Sequence, residues 1–411
     1  MEGRMIGGLL MKFIFHGKRQ GRMRTGFLTF CLALVLIIGG SNLSHAAVLS
    51  KEDFNLYGYV DASYTQNFNN PKNSGPNANH LRIFDGDSNS FRPNMAQLVF
   101  EKEGTNGTNA VERAGFRVKL DVGEDAQFTG GRTGDDFDFQ ELYAQFVASI
   151  GNGLDIRIGR MNTLVGYEVI ESPFNPNFSR SWLFGLGQPF TTTGIRLLYP
   201  FTDKLTVAVG AINSFTGLTE DNNSAKSLEG LISYSPTEQV GINVYGFFGR
   251  ESSNTAPGAG KRALIGSYVT FQATEQLGFV VEGYYANQEN GSGISSGRNA
   301  RWNGAAGYAI YDFDDQWGVR VRGEIFEDAG GETSCLGTAG SGGNANACTV
   351  SAPIAQTLWE TTVTLQYKPA PSLITRLEFR YDKSNRNVFL DGSNTFTNNQ
   401  QTLAAEAIFL F

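Results

Sequence analysis

The chain is short of the residues that acid–base and metal chemistry draw on: of 411 residues, three are histidine and three cysteine, and charged residues make up only 18%. Its balance is acidic, with 33 Lys+Arg against 40 Asp+Glu, which excludes a basic nucleic-acid binder, and no nucleic-acid partner is expected. Outside the N-terminal region no run of eighteen apolar residues occurs, so a helical membrane bundle is excluded. A membrane protein of this composition has to cross by strands. What is abundant is glycine, at 50 residues, and aromatic side chains, at 12%.

Residues 1–46 read as a cleaved secretion signal. Arg4, Lys12, Lys18, Arg19, Arg22 and Arg24 precede an apolar stretch from Phe27 to Ile38, and Ser44-His45-Ala46 closes it with a cleavage site after Ala46. Loss of those six basic residues and Glu2 takes the counts from 33 and 40 to 27 and 39, a net charge of −12 for residues 47–411. His80 is then the sole histidine, and Cys335 and Cys348 are the remaining cysteines, close enough in sequence to close a small loop.

One texture runs through 47–411: about ten residues of alternating character, then a turn. In residues 316–325, Trp317, Val319, Val321 and Ile325 alternate with Arg320, Arg322 and Glu324; in 373–382, Leu373, Leu377, Phe379 and Tyr381 alternate with Arg376, Glu378, Arg380 and Asp382. The pattern predicts sixteen strands, near 54–66, 92–102, 113–125, 138–149, 154–161, 190–200, 204–214, 225–235, 239–250, 261–273, 276–287, 299–311, 316–327, 354–368, 372–384 and 400–411. The connectors alternate short and long, and 103–112 is the poor fit, too long for a short turn. No repeat of propeller length is visible, and the last strand places Leu403, Ala405, Ala407, Phe409 and Phe411 on one face. The expected fold class is all-β, a single transmembrane antiparallel β-barrel with short periplasmic turns and long external loops.

Charge placement follows from energetics, because an arginine on the lipid face near midplane costs ~2–4 kcal/mol. The charged face of each strand is therefore expected to line the lumen: Asp61, Arg117, Lys119, Arg157, Arg196, Arg301, Arg320, Arg322, Glu324, Arg376, Glu378 and Arg380, with Glu101, Asp121, Glu141, Glu282, Asp382 and Glu406. Sixteen strands leave an interior too wide for side chains to fill, which implies water rather than a core.

The longest connector, 162–189, is dense in aromatics and prolines. Loops of that length are usually functional, and Phe174, Phe178, Trp182, Leu183 and Phe184 would be poor residues to leave in water. The loop is expected to fold inward and narrow the passage, with Glu168, Glu171, Arg180 and Trp182 at the constriction and the two glutamates facing wall arginines. The alternative is that Glu168 and Arg180 only fasten the loop to the wall.

Gly-Tyr-Glu at 166–168, Asn-x-Asn-x-Ser-Arg-Ser at 175–181 and Gln-Pro-Phe-Thr at 188–191 resemble an outer-membrane β-barrel porin family of the OmpL-like kind, and the likeness runs from Tyr57 to Phe411. Thr192 departs from it, standing where the resemblance leads one to expect histidine. The resemblance implies a Gram-negative outer-membrane channel for passive, weakly selective diffusion of small hydrophilic solutes and ions. It also implies outer-membrane lipid and lipopolysaccharide as surroundings, with a homotrimer as the assembly to consider. The alternative reading is an adhesin or receptor barrel whose external loops bind a partner.

An enzyme is not expected. His80 lies in Pro-Asn-Ala-Asn-His-Leu-Arg with no nucleophile motif around it and reads as a solvated loop histidine. No cofactor is expected, and no metal, since Asp135, Asp136 and Asp138 lack the glycine and terminal glutamate of a calcium loop. Cys335 and Cys348 are predicted to pair within the external loop, contributing ~3 kcal/mol in the chain-entropy account for about fifteen residues. Thiol titration of the unreduced, denatured protein should find no free thiol; two reactive thiols would disprove the pairing.

Overall fold

The computed structural model describes residues 54–72, 78–129, 136–215, 221, 223–251, 260–292, 294–295, 297–334, 353–393 and 395–411. The expected signal segment 1–46, with its cleavage site, and both Cys335 and Cys348 lie outside the described residues. Sixteen strands form the wall: β1 (Asn55–Asn67), β2 (Ser90–Lys102), β3 (Ala114–Val122), β4 (Phe137–Ala148), β5 (Leu154–Asn162), β6 (Thr191–Pro200), β7 (Leu205–Ile212), β8 (Ser227–Thr237), β9 (Val240–Arg250), β10 (Lys261–Gln272), β11 (Leu277–Gln288), β12 (Ala300–Asp312), β13 (Trp317–Asp328), β14 (Gln356–Ala370), β15 (Leu373–Ser384) and β18 (Asn399–Leu410). Between the last two, β16 (Phe389–Leu390) and β17 (Phe396–Thr397) make a separate small hairpin.

Each wall strand pairs antiparallel with its sequence neighbours, and β18 returns to β1 in a continuous register from Tyr59↔Leu410 to Asn67↔Thr402. Closure leaves no sheet edge, the condition that hydrocarbon imposes on a strand-built span. The seam ends on Gly58, whose N–H donates to the Phe411 carbonyl at 3.0 Å and whose carbonyl accepts from the Phe411 N–H at 3.0 Å.

Period two is visible in burial. Along β13, Gly318, Arg320, Arg322, Glu324, Phe326 and Asp328 are buried, whereas Trp317, Val321 and Ile325 are exposed. The outward faces of the other strands carry Val209, Ile232, Ile265, Val281, Val363, Leu377 and Phe409. Next to the short turns the outer face becomes aromatic: Trp317 stacks on Tyr367 at 4.3 Å, and Tyr199–Phe201 and Tyr311–Phe313 pack edge-to-face at 4.8 and 5.2 Å. These rings form the interfacial girdle of a membrane barrel.

Local irregularities have local causes. Connector 103–112 is long because it leads into a helical turn, Ala110–Arg113, capped by Asn109, whose Oδ1 accepts from the Val111 and Glu112 amides at 3.0 Å each. Pro93, a residue without a ladder donor, lies where the β1–β2 register shifts between Asp61 and Ala62. The β4–β5 turn relies on Gly151 and Gly153 at φ of 55° and 100°, conformations open to glycine.

Candidate functional site

The lumen holds a packed interior built by two loops. Loop 163–190 leaves β5, crosses to the far wall and returns to β6, and the far wall receives it through buried charges. The Glu378 carboxylate of β15 accepts the Phe178 and Ser179 amides at 2.7 and 2.9 Å, and the Glu324 carboxylate of β13 accepts those of Trp182 and Leu183 at 2.7 and 2.6 Å. Arginines take the carbonyls: Arg376 donates to Ser172 and Asn175 at 3.1 and 2.8 Å, Arg322 to Ser179 at 2.6 Å, and Arg380 to Arg180 at 2.6 Å. A loop with little regular structure buries many backbone polar groups, and the wall charges supply their partners.

Arg322 is the hub. Its guanidinium pairs with Glu168 of the loop at 2.8 Å and with Glu360 of β14 at 2.6 Å, and all three side chains are fully buried. The chain of charges continues from Glu360 to Arg380 at 3.6 Å, to Asp382 at 2.7 Å, and on to Arg82 of loop 68–89 at 2.7 Å. At the other end of the crossing, Glu171 is bound by Lys119, which also pairs with Glu141 at 2.8 Å. Burial alone would raise the Glu171 carboxyl, but the Lys119 ammonium and the Asn162 amide hold it down at about 2.

Loop 68–89 fills a second share of the lumen. Phe84 packs on Phe184 and Phe190, at 5.9 and 5.4 Å between ring centres, and the Trp182 indole donates to the Leu81 carbonyl at 3.0 Å. Nδ1 of His80 lies 2.9 Å from the Val388 carbonyl, beside the β16–β17 hairpin. His80 is therefore buried, not the solvated residue expected, and burial pushes its imidazole below the ordinary range.

The structure sorts the expected lumen residues into three groups. Arg322, Glu324, Arg376, Glu378 and Arg380 are buried under the loop, as is Lys119, so they bind protein where water was expected. Asp61 is buried against Asn94 at 3.1 Å, and Arg196 is held by Glu229 at 2.8 Å. Arg117, Arg157 and Arg320 lie toward the short-turn end, paired with Glu101, Asp155 and Asp312 at 2.6, 2.7 and 2.6 Å. Arg320 and Arg322, adjacent on one face of β13, thus serve different ends of the lumen.

One placement is corrected. Arg301 points outward, with its side chain 57% exposed, because its neighbours Ala300 and Trp302 take the inward positions of β12. It sits at the first turn of that strand, next to an external loop, where a charge can reach water.

Of the constriction residues, Glu168 and Glu171 bind Arg322 and Lys119 directly, and Trp182 lies under the Arg380 guanidinium at 5.0 Å. Arg180 turns back on its own loop, donating to Val169, Phe178 and Ile170 carbonyls at 3.1, 2.5 and 2.6 Å. Three contributors were missed in the sequence: Arg82, Glu360 and Tyr167. Glu360 was readable, since it alternates with Leu358 and Thr362 in β14; nothing local marks loop 68–89 as inward-folding.

Open space remains below the crossing, on the side of β8–β12: a cavity of about 580 Å³ lined by the ends of those strands and their turns and, from the loop, by Tyr167.

A closed sixteen-strand barrel with an apolar outer belt, an aromatic girdle and a loop bound across its lumen has the architecture of an outer-membrane porin. The family model for beta-barrel porin-2, OmpL-like, matches residues 53–411, and the chain belongs to that family. It is a channel protein of the Gram-negative outer membrane, for passive diffusion. No curated protein is similar to it in sequence.

Solved structures share the fold. The outer membrane channel DcaP of Acinetobacter baumannii is 12% identical with a TM-score of 0.56, over 89% of this chain and 100% of that one. An anion-selective porin from Comamonas acidovorans is 11% identical with a TM-score of 0.57, over 87% and 99%. The trimer form of OmpT from Vibrio cholerae is 9% identical with a TM-score of 0.53, over 87% and 99%.

Removing Arg322 strands Glu168 and Glu360 in a dry interior, a change that costs about 3–5 kcal/mol for a buried pair. R322A should therefore lower the midpoint of urea unfolding well below that of the parent, with R322K intermediate because it keeps the charge and loses the fork. An R322A barrel as resistant as the parent would show that the loop is not held by this contact.

Proposed function

We propose that this porin passes small hydrophilic solutes and ions through a water-filled passage narrowed by loop 163–190, with weak selectivity. The observation that carries the reading is the loop's attachment: it is bound to the wall opposite its origin, so any solute must pass beside it. Most interior charges are matched in pairs, which limits the field a permeating ion meets and favours weak discrimination. The reading is of a channel without an enzymatic step, in keeping with the lack of a nucleophile–base pair among the described lumen residues.

The same reading includes removal of residues 1–46 on export, leaving 47–411 as the mature barrel, and pairing of Cys335 with Cys348 outside. It places lipid and lipopolysaccharide against the apolar belt. A homotrimer fits this reading, since one relative of the same fold was solved as a trimer.

Planar-bilayer recording of the refolded protein should show long-lived steps whose conductance scales with salt. R322A should give larger or noisier steps, because the loop is freed from its hub. Correctly folded protein that carries no current would favour the adhesin or receptor alternative.

A further inference from the structure

The two ends of the lumen differ in their access to water. Toward the external end, every one of the sixteen wall strands carries an inward side chain that is at most 4% exposed, so that a buried ring runs around the barrel. On β7–β12 its members are Ile212, Ser227, Phe247, Leu264, Ala286 and Trp302. Toward the short turns the inward positions open: Leu231, Ser233, Tyr268 and Thr270 are half-buried, Ser235 and Gln272 are exposed, and the cavity of about 580 Å³ lies there. A channel filled with water from end to end would wet its wall at both levels.

The ring is held in two ways. From β11 through β15 and β18, and again at β3 and β4, the crossing loop meets the wall through hydrogen bonds and ion pairs, beginning with the Tyr167 amide on Glu282 and ending with Glu171 on Lys119. No hydrogen bond or ion pair joins either inward loop to the inward side chains of β7–β10 among the described residues: the Tyr245 hydroxyl donates to Glu282 of β11, Glu229 pairs with Arg196 at 2.8 Å, and Arg262 pairs with Glu332 at 3.0 Å. The closure in this sector is apolar packing. Ile212, Phe247 and Leu264 belong to one cluster with Val165 and Leu186 of the loop, and the Tyr167 ring lies 5.7 Å from that of Tyr268. Above them Phe215 packs on Phe247 at 4.9 Å and the Arg262 guanidinium lies over Phe215 at 4.8 Å as an outer cover.

The two kinds of closure yield differently. Parting an ion-paired contact strands buried charges, whereas an apolar contact strands nothing, and an apolar constriction stops ions simply by staying dry. We propose that the β7–β10 sector is a hydrophobic gate: the lumen is shut at its outer end in this conformation, and it conducts when Ile212, Phe247 and Leu264 part from the loop and the gap fills with water, joining the outside to the cavity under Tyr167. The anchored side of the loop keeps its contacts with β13–β15 throughout. The inference rests on the porin reading above and deepens it, since the loop that narrows the passage also closes it.

The test is the fraction of time open in planar-bilayer records of the refolded protein, for the parent and three variants. L264S makes the apolar seal wettable, and A208S adds a hydroxyl to the same sector with little change of volume, since Ala208 lies on the inward face of β7 and is buried. L358S brings the same chemistry to a buried inward residue of β14, a strand that fastens the loop through Thr364 and Asn177 at 2.7 Å. The parent should be open for a minor part of the record. L264S should raise the open time about tenfold, the weight of one leucine side chain's preference for a dry site. A208S should raise it less, and L358S should leave it unchanged. Should L264S fail to give a barrel, A208S decides.

A parent open throughout, or an L264S barrel with the parent's open time, would overturn the gate and leave the channel standing. An equal rise in L264S and L358S would overturn it too, because the seal would then yield on the anchored side as well. Correctly folded parent and variants that all carry no current would overturn the gate and the porin reading together.

Discussion

Arg322 is where the wall, the crossing loop and the charge network meet, and the interior depends on its being satisfied from two sides. An arginine cannot shed its proton, so a buried one demands carboxylates and carbonyls in fixed positions. Here it receives Glu360 from β14, Glu168 from the loop and the Ser179 carbonyl, and each is thereby placed. With Glu168 and Ser179 fixed, Trp182 falls beneath Arg380 and the short helix Trp182–Gly187 settles against β12 and β13. A barrel wide enough to hold water is thus divided by a segment of its own chain.

The division explains why a lumen lined with charge on paper is largely dry on one side. Burying ions singly would be prohibitive, and the wall avoids this by alternating sign along a continuous chain from Glu168 through Asp382 to Arg82. Neutral backbone amides and carbonyls of the loop complete the coordination. Along β7–β10 the wall carries few inward charges, Glu229 and Arg262 among them, and its inward face is mostly small and aromatic.

Strands were legible because period two, lipid outside and turn residues at each end all act on the same ten-residue scale. Every wall strand lies close to its expected position, including β18 with Leu403 and Phe409 outward. The inward direction of Arg322 and Arg380 followed from the cost of charge in lipid. Arg301 escaped that logic because it sits beyond the apolar belt, where the penalty vanishes. The inward course of the crossing loop was suggested by Trp182 and Phe184, too apolar for water. Loop 68–89 gave no comparable signal: Leu81, Ile83 and Phe84 stand among polar residues, and the partners of the loop, Asp382 for Arg82, Val388 for His80 and Phe184 for Phe84, are distant in sequence. Contacts of that kind depend on the closed barrel and have no local period.

The central claim is that loop 163–190 lies inside the barrel against the opposite wall. Asn177 donates to the Thr364 hydroxyl of β14 at 2.7 Å, a contact available only to a loop in the lumen. Replacing both by cysteine and treating intact outer membranes with an oxidant or a short bifunctional thiol reagent measures it directly. Efficient cross-linking of Asn177→Cys to Thr364→Cys, with neither single variant reacting within the chain, is the expected result. A doubly substituted barrel that folds but never cross-links, with position 177 labelled by an impermeant external reagent, would place the loop outside and contradict the account.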